Sequence, residues 1–213
     1  MENNNTKDKI LKAAFFLFSE IGYSTTTTRM IAEKAGVSLS TIPYYFETKS
    51  NLHDAVLQIA SKQYIEYLSP VPKTIEDLFS AGYIDIDKDT AQNMIIRLLN
   101  RHMDFVFDPN NEQLIRLILN EQFFNTEQNF YQMLYNNMSS NLTKLLMVLR
   151  PYESEERALI TSLAVIGEVL VFNYHKSSIL RALNIKEYSQ QEIALIRETL
   201  WENLRPALGL MIK

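Results

Sequence analysis

Hydroxyl side chains, two tyrosines and the cations Arg29 and Lys49 stand out between positions 26 and 49: Thr26, Thr27, Arg29, Ser38, Ser40, Thr41, Tyr44, Tyr45 and Lys49. These groups donate and accept hydrogen bonds without titrating near neutrality, which suits base edges and sugar–phosphate better than proton transfer. The remaining chemistry is sparse. The chain has no cysteine and three histidines, which removes thiolate catalysis, iron–sulfur clusters and thiolate zinc sites. The run Asp85-x-Asp87-x-Asp89 resembles the start of a calcium loop, but Thr90 stands where glycine is wanted and Ile96 where glutamate is wanted. It reads as a solvated loop ending in a helix cap. There is no G-x-S-x-G, no phosphate loop and no histidine pair at metal-ligand spacing. The expectation is therefore a binding protein and not an enzyme, with no cofactor and no metal.

A second group of residues sits farther along. His102 shares an apolar helical face with Ile95, Leu98, Leu99, Phe105 and Val106. It reads either as a core histidine with a satisfied partner or as the lining of a pocket. Glu121 lies among Leu114, Leu117 and Ile118, and Glu168 among Ala164, Val165, Val171 and Phe172. A carboxylate in such a place is costly unless paired. Arg97, Arg101 or Arg116 would answer that structurally, and a cationic ligand would answer it functionally. With Phe105, Phe124 and Tyr131 these residues, His102, Glu121 and Glu168, form the candidate effector pocket, although each aromatic taken singly reads as core. Such a lining suits a small, mostly apolar molecule.

The elements that must hold these groups are helices, because two-residue alternation is scarce. The first runs from about Lys7 to Glu20 on a stripe of Ile10, Ala14, Leu17 and Phe18, and Gly22 follows it. A short helix covers about Thr28 to Ala35. Gly36 ends it, and a third begins near Leu39 with Ser38 as its cap. Helix, glycine turn, helix is a helix-turn-helix outline whose small core is Ile31, Ala35, Val37, Ile42 and Phe46. Leu39, Ser40, Thr41, Tyr44 and Tyr45 are left facing outward. Pro43 then becomes the fifth residue of the third helix, where its missing N–H removes a bond to the Leu39 carbonyl and widens the helix. A long helix from Thr48 to about Leu68 follows, and Pro70 and Pro72 break it. Further helices cover about 74–80, 90–107, 112–124, 127–149, 154–175 and 190–208. The fold class is all-α.

The net charge of −4 argues against a general nucleic-acid binder. Its distribution softens that conclusion, because positions 1–50 carry six basic and five acidic residues and the excess acid lies beyond them. The polar start MENNNTKDK lacks the apolar core of a secretory signal. The most apolar stretch, 158–172, is shorter than a membrane span and reads as a buried helix. The expected place is the cytoplasm, with no membrane partner.

The stretch from Ile10 to Leu57, ILKAAFFLFSEIGYSTTTTRMIAEKAGVSLSTIPYYFETKSNLHDAVL, resembles the N-terminal domain of the TetR family of bacterial transcriptional regulators. The likeness rests on Gly22-Tyr23, the Thr-Thr-x-Arg-x-Ile-Ala run, AGVS, the Thr-Ile pair, the aromatic pair before Phe46, and Lys49. Farther on, LIRLILNEQFFNTEQNFYQML and IGEVLVFNYHKSSILRAL resemble the CecR-like branch of that family. The resemblance implies a three-helix DNA-binding domain, 1–52, with a fourth helix from about 49 linking it to a helical effector-binding and dimerisation domain, 53–213. It also implies a homodimer on a palindromic double-stranded operator, repression, and release by a small-molecule effector. Thr41, Tyr44 and Tyr45 fall on the recognition helix, Arg29 on the helix before it, and Lys49 at a phosphate-contacting helix start. The family's usual dimer contact lies in its last two helices, which points to Ala164, Gly167, Val171 and Trp201. Gly167 with Ala164 one turn earlier also suits ordinary close packing within the chain. The rival reading is a helical module that binds another protein without sensing a small molecule.

Overall fold

The computed structural model describes residues 2–80, 86–121 and 130–210, and all regular structure among them is helical. They gather into two compact units, Met1–Glu66 with Asn110–Leu134, and Tyr67–Pro109 with Tyr135–Lys213.

In the first unit α1 (Glu2–Thr25) is interrupted at Gly22, whose φ of 77° and ψ of 165° is open only to glycine at acceptable cost. Helix α2 (Thr28–Ala35) packs on α1, and α3 (Thr41–Phe46) packs on α2. Helix α4 (Lys49–Leu68) follows, and α7 (Glu112–Glu121) lies against α1. The fully enclosed side chains Ile10, Phe18, Ile31, Ile42, Leu52 and Val56 join these helices. Burying each contributes about 1.5–3 kcal/mol, which is why an eight-residue and a six-residue helix persist here when neither would alone.

The second unit holds α5 (Pro70–Ser80), α6 (Lys88–Phe107), α8 (Phe130–Leu149) from Tyr135 onward, α9 (Glu155–Tyr174), α10 (Lys176–Ala182) and α11 (Gln190–Leu208). Asp87 caps α6 by accepting from the Thr90 N–H at 2.8 Å, and these bonds hold its carboxyl below the usual range. The cap expected at the end of the aspartate run is thus present, while Asp85 lies outside the described residues. Ser154 caps α9, and Ser189 and Glu192 form a capping box on α11. Helix α9 packs on α6, α10 and α11.

Two expectations change. Helix α5 begins at Pro70 and not near Thr74, so the prolines open it from its first turn, where no N–H is required. Helix α9 is less enclosed than a buried helix. It buries Ala158, Ser162, Val165, Ile166 and Val169, yet only 28% of its most apolar window is covered by the described chain. By length and composition alone it would also cross a membrane.

Candidate nucleic-acid interface

The outward face of the first unit starts at α2. Its cap is Thr27, whose hydroxyl accepts from the Met30 N–H at 3.2 Å, and Arg29 in the next turn is exposed. The competing surface pair between Arg29 and Glu33 does not form among the described residues. Gly36 closes the helix in the left-handed region, at φ 66° and ψ 37°.

Thr26 does not belong to this face. It is fully buried, and its hydroxyl donates to the Gly22 carbonyl at 2.8 Å while its own N–H reaches the same oxygen at 3.2 Å. A side chain folded back in this way ties down the break in α1 and does not meet a phosphate.

The recognition helix also starts later than the sequence predicts. Ser38 is not its cap: its hydroxyl lies 3.0 Å from Ser40 Oγ and 2.7 Å from Thr41 Oγ1. A turn closes through Thr41 N–H to Ser38 C=O at 3.0 Å, and Ser40 occupies the cap position without a side-chain bond. Pro43 is therefore the third helical residue and not the fifth. An N–H at that position has no partner within the helix, so the proline removes nothing and widens nothing.

Ser38, Leu39, Ser40, Pro43 and Tyr44 are exposed, and Thr41 and Tyr45 are half-buried. Tyr44 is 73% exposed, standing edge-on to Tyr45 with ring centroids 5.0 Å apart. The result is a ridge of three hydroxyls and two phenols above a floor of Ile42 and Phe46. Between α3 and α4 the chain makes a γ-turn, Thr48 N–H to Phe46 C=O at 2.6 Å, with Glu47 at φ 61°. Lys49 opens α4 with its ammonium 4.1 Å over the Tyr23 ring, and partial burial lowers its pKa. Lys34 lies 3.5 Å over Phe16 in the same manner.

The other sequence-derived sites divide between the units. His102 and Phe105 are buried on α6, and neither ring nitrogen of His102 meets a partner at hydrogen-bonding geometry among the described residues. Burial pushes its pKa down to about 4, an effect that the Ile166 backbone opposes only weakly. Glu168 is half-buried on α9. Glu121 falls in the first unit with His102 in the second, and its partner is not an arginine. His53 Nε2 lies 2.9 Å from Glu121 Oε1, with both side chains buried. Arg116 instead binds Glu20 and Glu112, and Arg101 donates to the Tyr67 carbonyl. Phe124 lies outside the described residues, and so does the side chain of Tyr131.

On α9, Ala164, Gly167 and Val171 are exposed, in line with Ile160 and Tyr174. Those two were missed by sequence reasoning, although the spacing 160, 164, 167, 171, 174 is the helical period. Trp201 is engaged within its own chain, donating to Asn100 Oδ1 at 3.0 Å.

Comparison with known proteins agrees with this geometry. Residues 10–56 match the family model described as bacterial regulatory proteins, tetR family. The chain is 25% identical over 202 residues to the transcriptional dual regulator CecR of Shigella flexneri, covering 93% of this chain and 89% of that one. It is 46% identical over 52 residues to the regulator RutR of Escherichia coli strain K12, covering 24% of each. A TetR-like transcriptional regulator from Rhodococcus sp. RHA1 shares the fold at a TM-score of 0.63, with 18% identity over 93% of this chain and 95% of that one. The matched segment runs from the stripe of α1 to Val56 on α4 and so takes in the whole ridge. Residues 10–56 thus carry the N-terminal helix-turn-helix domain of the bacterial tetR family, and over most of its length the chain is similar to transcription regulators that share this domain.

Proposed function

We propose that the chain is a ligand-responsive repressor that binds a palindromic operator as a homodimer and leaves it when a small, mostly apolar effector binds. The observation that carries the DNA-binding part is the ridge on α3. Tyr44 is three-quarters exposed, and beside it Ser38, Ser40 and Thr41 set their hydroxyls within hydrogen-bonding distance of one another on the same outward face. Set in a major groove, the ridge offers hydroxyls to base edges, with Tyr44 and Tyr45 against sugar and thymine methyl groups. Thr27, Arg29 and Lys49 face the flanking phosphates. The functional division is head 1–52, with the helix from about 49 as link, and sensor 53–213.

The homodimer reading rests on the stripe Ile160, Ala164, Gly167 and Val171, which is exposed in the described chain. Small residues at its centre let a second helix approach closely. The effector reading rests on His102, Phe105 and Glu168 in the second unit, where a buried imidazole whose nitrogens meet no well-placed partner among the described residues suits a ligand with a polar end. The place of action is the cytoplasm.

The test is binding of the purified chain to duplex DNA from its own upstream region, followed by fluorescence anisotropy. Sequence-preferring, salt-sensitive binding is expected. Tyr44→Ala with Tyr45→Ala should weaken it by at least about tenfold, roughly 1–3 kcal/mol for each lost base contact, with helicity intact. A double variant that binds normally removes the ridge from the interface. Repression is read from a reporter behind the same DNA, and a rise in output on expressing the chain would reverse the sign.

A further inference from the structure

The break at Gly22 turns Tyr23 back against α4. Its ring stacks on His53 at 4.4 Å between centroids, tilted 40°, and Phe18 meets the same imidazole edge-on at 4.9 Å. His53 is 3% exposed and bonds Glu121 at the end of α7, whose second carboxylate oxygen is buried and meets no partner among the described residues. On its other side Tyr23 carries the Lys49 ammonium. Lys49 and His53 stand one turn apart on α4, so both bear on one ring from one helix face. Lys49, Tyr23, His53 and Glu121 thus form a continuous ladder between the start of α4 and the end of α7.

Two further contacts bind the last turns of α7 to the end of α1. Asn120 Nδ2 donates to the Phe18 and Ser19 carbonyls at 3.3 and 3.0 Å. Arg116 reaches both oxygens of Glu20 at 2.9 and 2.8 Å. Leu114, Ile115 and Leu117 of α7 are buried as well, so α7 is held by apolar packing and these polar contacts besides Glu121. The buried carboxylate is different, because an apolar side chain of the same shape would pack there at lower cost. It fixes the imidazole in one orientation, and the imidazole fixes the ring under Lys49.

We propose that Glu121 and His53 are positioning residues for DNA binding, setting through Tyr23 where the Lys49 ammonium is presented, so that α7 governs the grip of the head. This rests on the reading of Lys49 as a phosphate contact. Displacing the end of α7 frees the imidazole, loosens the ring and lets the lysine swing away, without any change in the ridge on α3.

A double-mutant cycle on the full chain tests it, with affinity for upstream duplex DNA measured across a salt series and helicity checked by circular dichroism. Lys49→Ala should weaken binding about tenfold and lower the salt slope by about 1 per subunit. Glu121→Leu should weaken binding severalfold with a similar fall in slope. The double variant should be no weaker than the weaker single one. Glu121→Gln keeps an accepting oxygen for His53 and should stay within about twofold of the parent. If Glu121→Leu leaves affinity unchanged, or if the two effects multiply, the ladder does not act through Lys49 and the proposal fails while the phosphate reading stands. If Lys49→Ala is itself silent, the phosphate reading fails and the proposal with it. Should Glu121→Leu lose helicity, Tyr23→Leu replaces it in the same cycle under the same criterion.

Discussion

His102 is enclosed on α6, and burial, which the Ile166 backbone opposes only weakly, holds its pKa at about 4, below the ordinary 6.5 of a histidine. The folded chain therefore holds it neutral where the unfolded chain would take up a proton. The stability tied to that difference is fully present above pH 6.5 and is lost as pH falls toward 4. Between pH 8 and pH 5 the loss is about 2 kcal/mol. His102→Leu, which cannot be protonated, should show a correspondingly smaller fall in urea midpoint over that interval, and an unchanged fall would mean the imidazole is wet. The sequence placed His102 on an apolar face and left open whether it had a partner, since an acceptor on another helix leaves no trace in local spacing. Glu121 makes the same point from the other side. Its partner His53 is 68 residues away, and neither residue's neighbours advertise the other. Thr26 and Thr27 were indistinguishable in a run of four threonines until the positive φ of Gly22 turned one inward and left the other to cap α2.

Among the elements, α2 was legible almost to the residue, because a threonine cap and a left-handed glycine are local signals read from adjacent side chains. Helix α3 was not. Ser38 looks like a cap, but its hydroxyl is taken by Ser40 and Thr41, and the helix waits for Thr41 to begin. The same misreading occurred at Pro70: a proline says that an N–H is missing, not whether the helix is ending or beginning there. Position decides the energy. In a helix interior a proline costs about 3 kcal/mol, and in the first turn it costs little. Pro43→Ala should accordingly change the unfolding free energy by less than about 1 kcal/mol and leave operator affinity close to that of the parent. A gain of some 3 kcal/mol would show that the proline sits in the interior after all.

At the scale of the molecule, averaging the charge over 213 residues concealed a head that is near neutral, with lysines seated on aromatic rings at Phe16 and Tyr23. The apolar weight of α9 was legible as well, but not its direction, since composition cannot say which side of a helix its own chain will cover. The uncovered side carries the homodimer reading, and Ile160, 66% exposed at one end of it, is the place to test that reading. Ile160→Asp should convert a dimer to a monomer in sedimentation at micromolar concentration while leaving helicity unchanged. A parent chain that is already monomeric there would end the homodimer proposal. With a second copy as the cover for that stripe, the number of reading heads on an operator follows the square of the amount of free chain when the protein is scarce. A cell holding half as much would then keep about a quarter of the pairs. The bare face of one helix would make the regulator respond more steeply to its own abundance than a single-headed binder could.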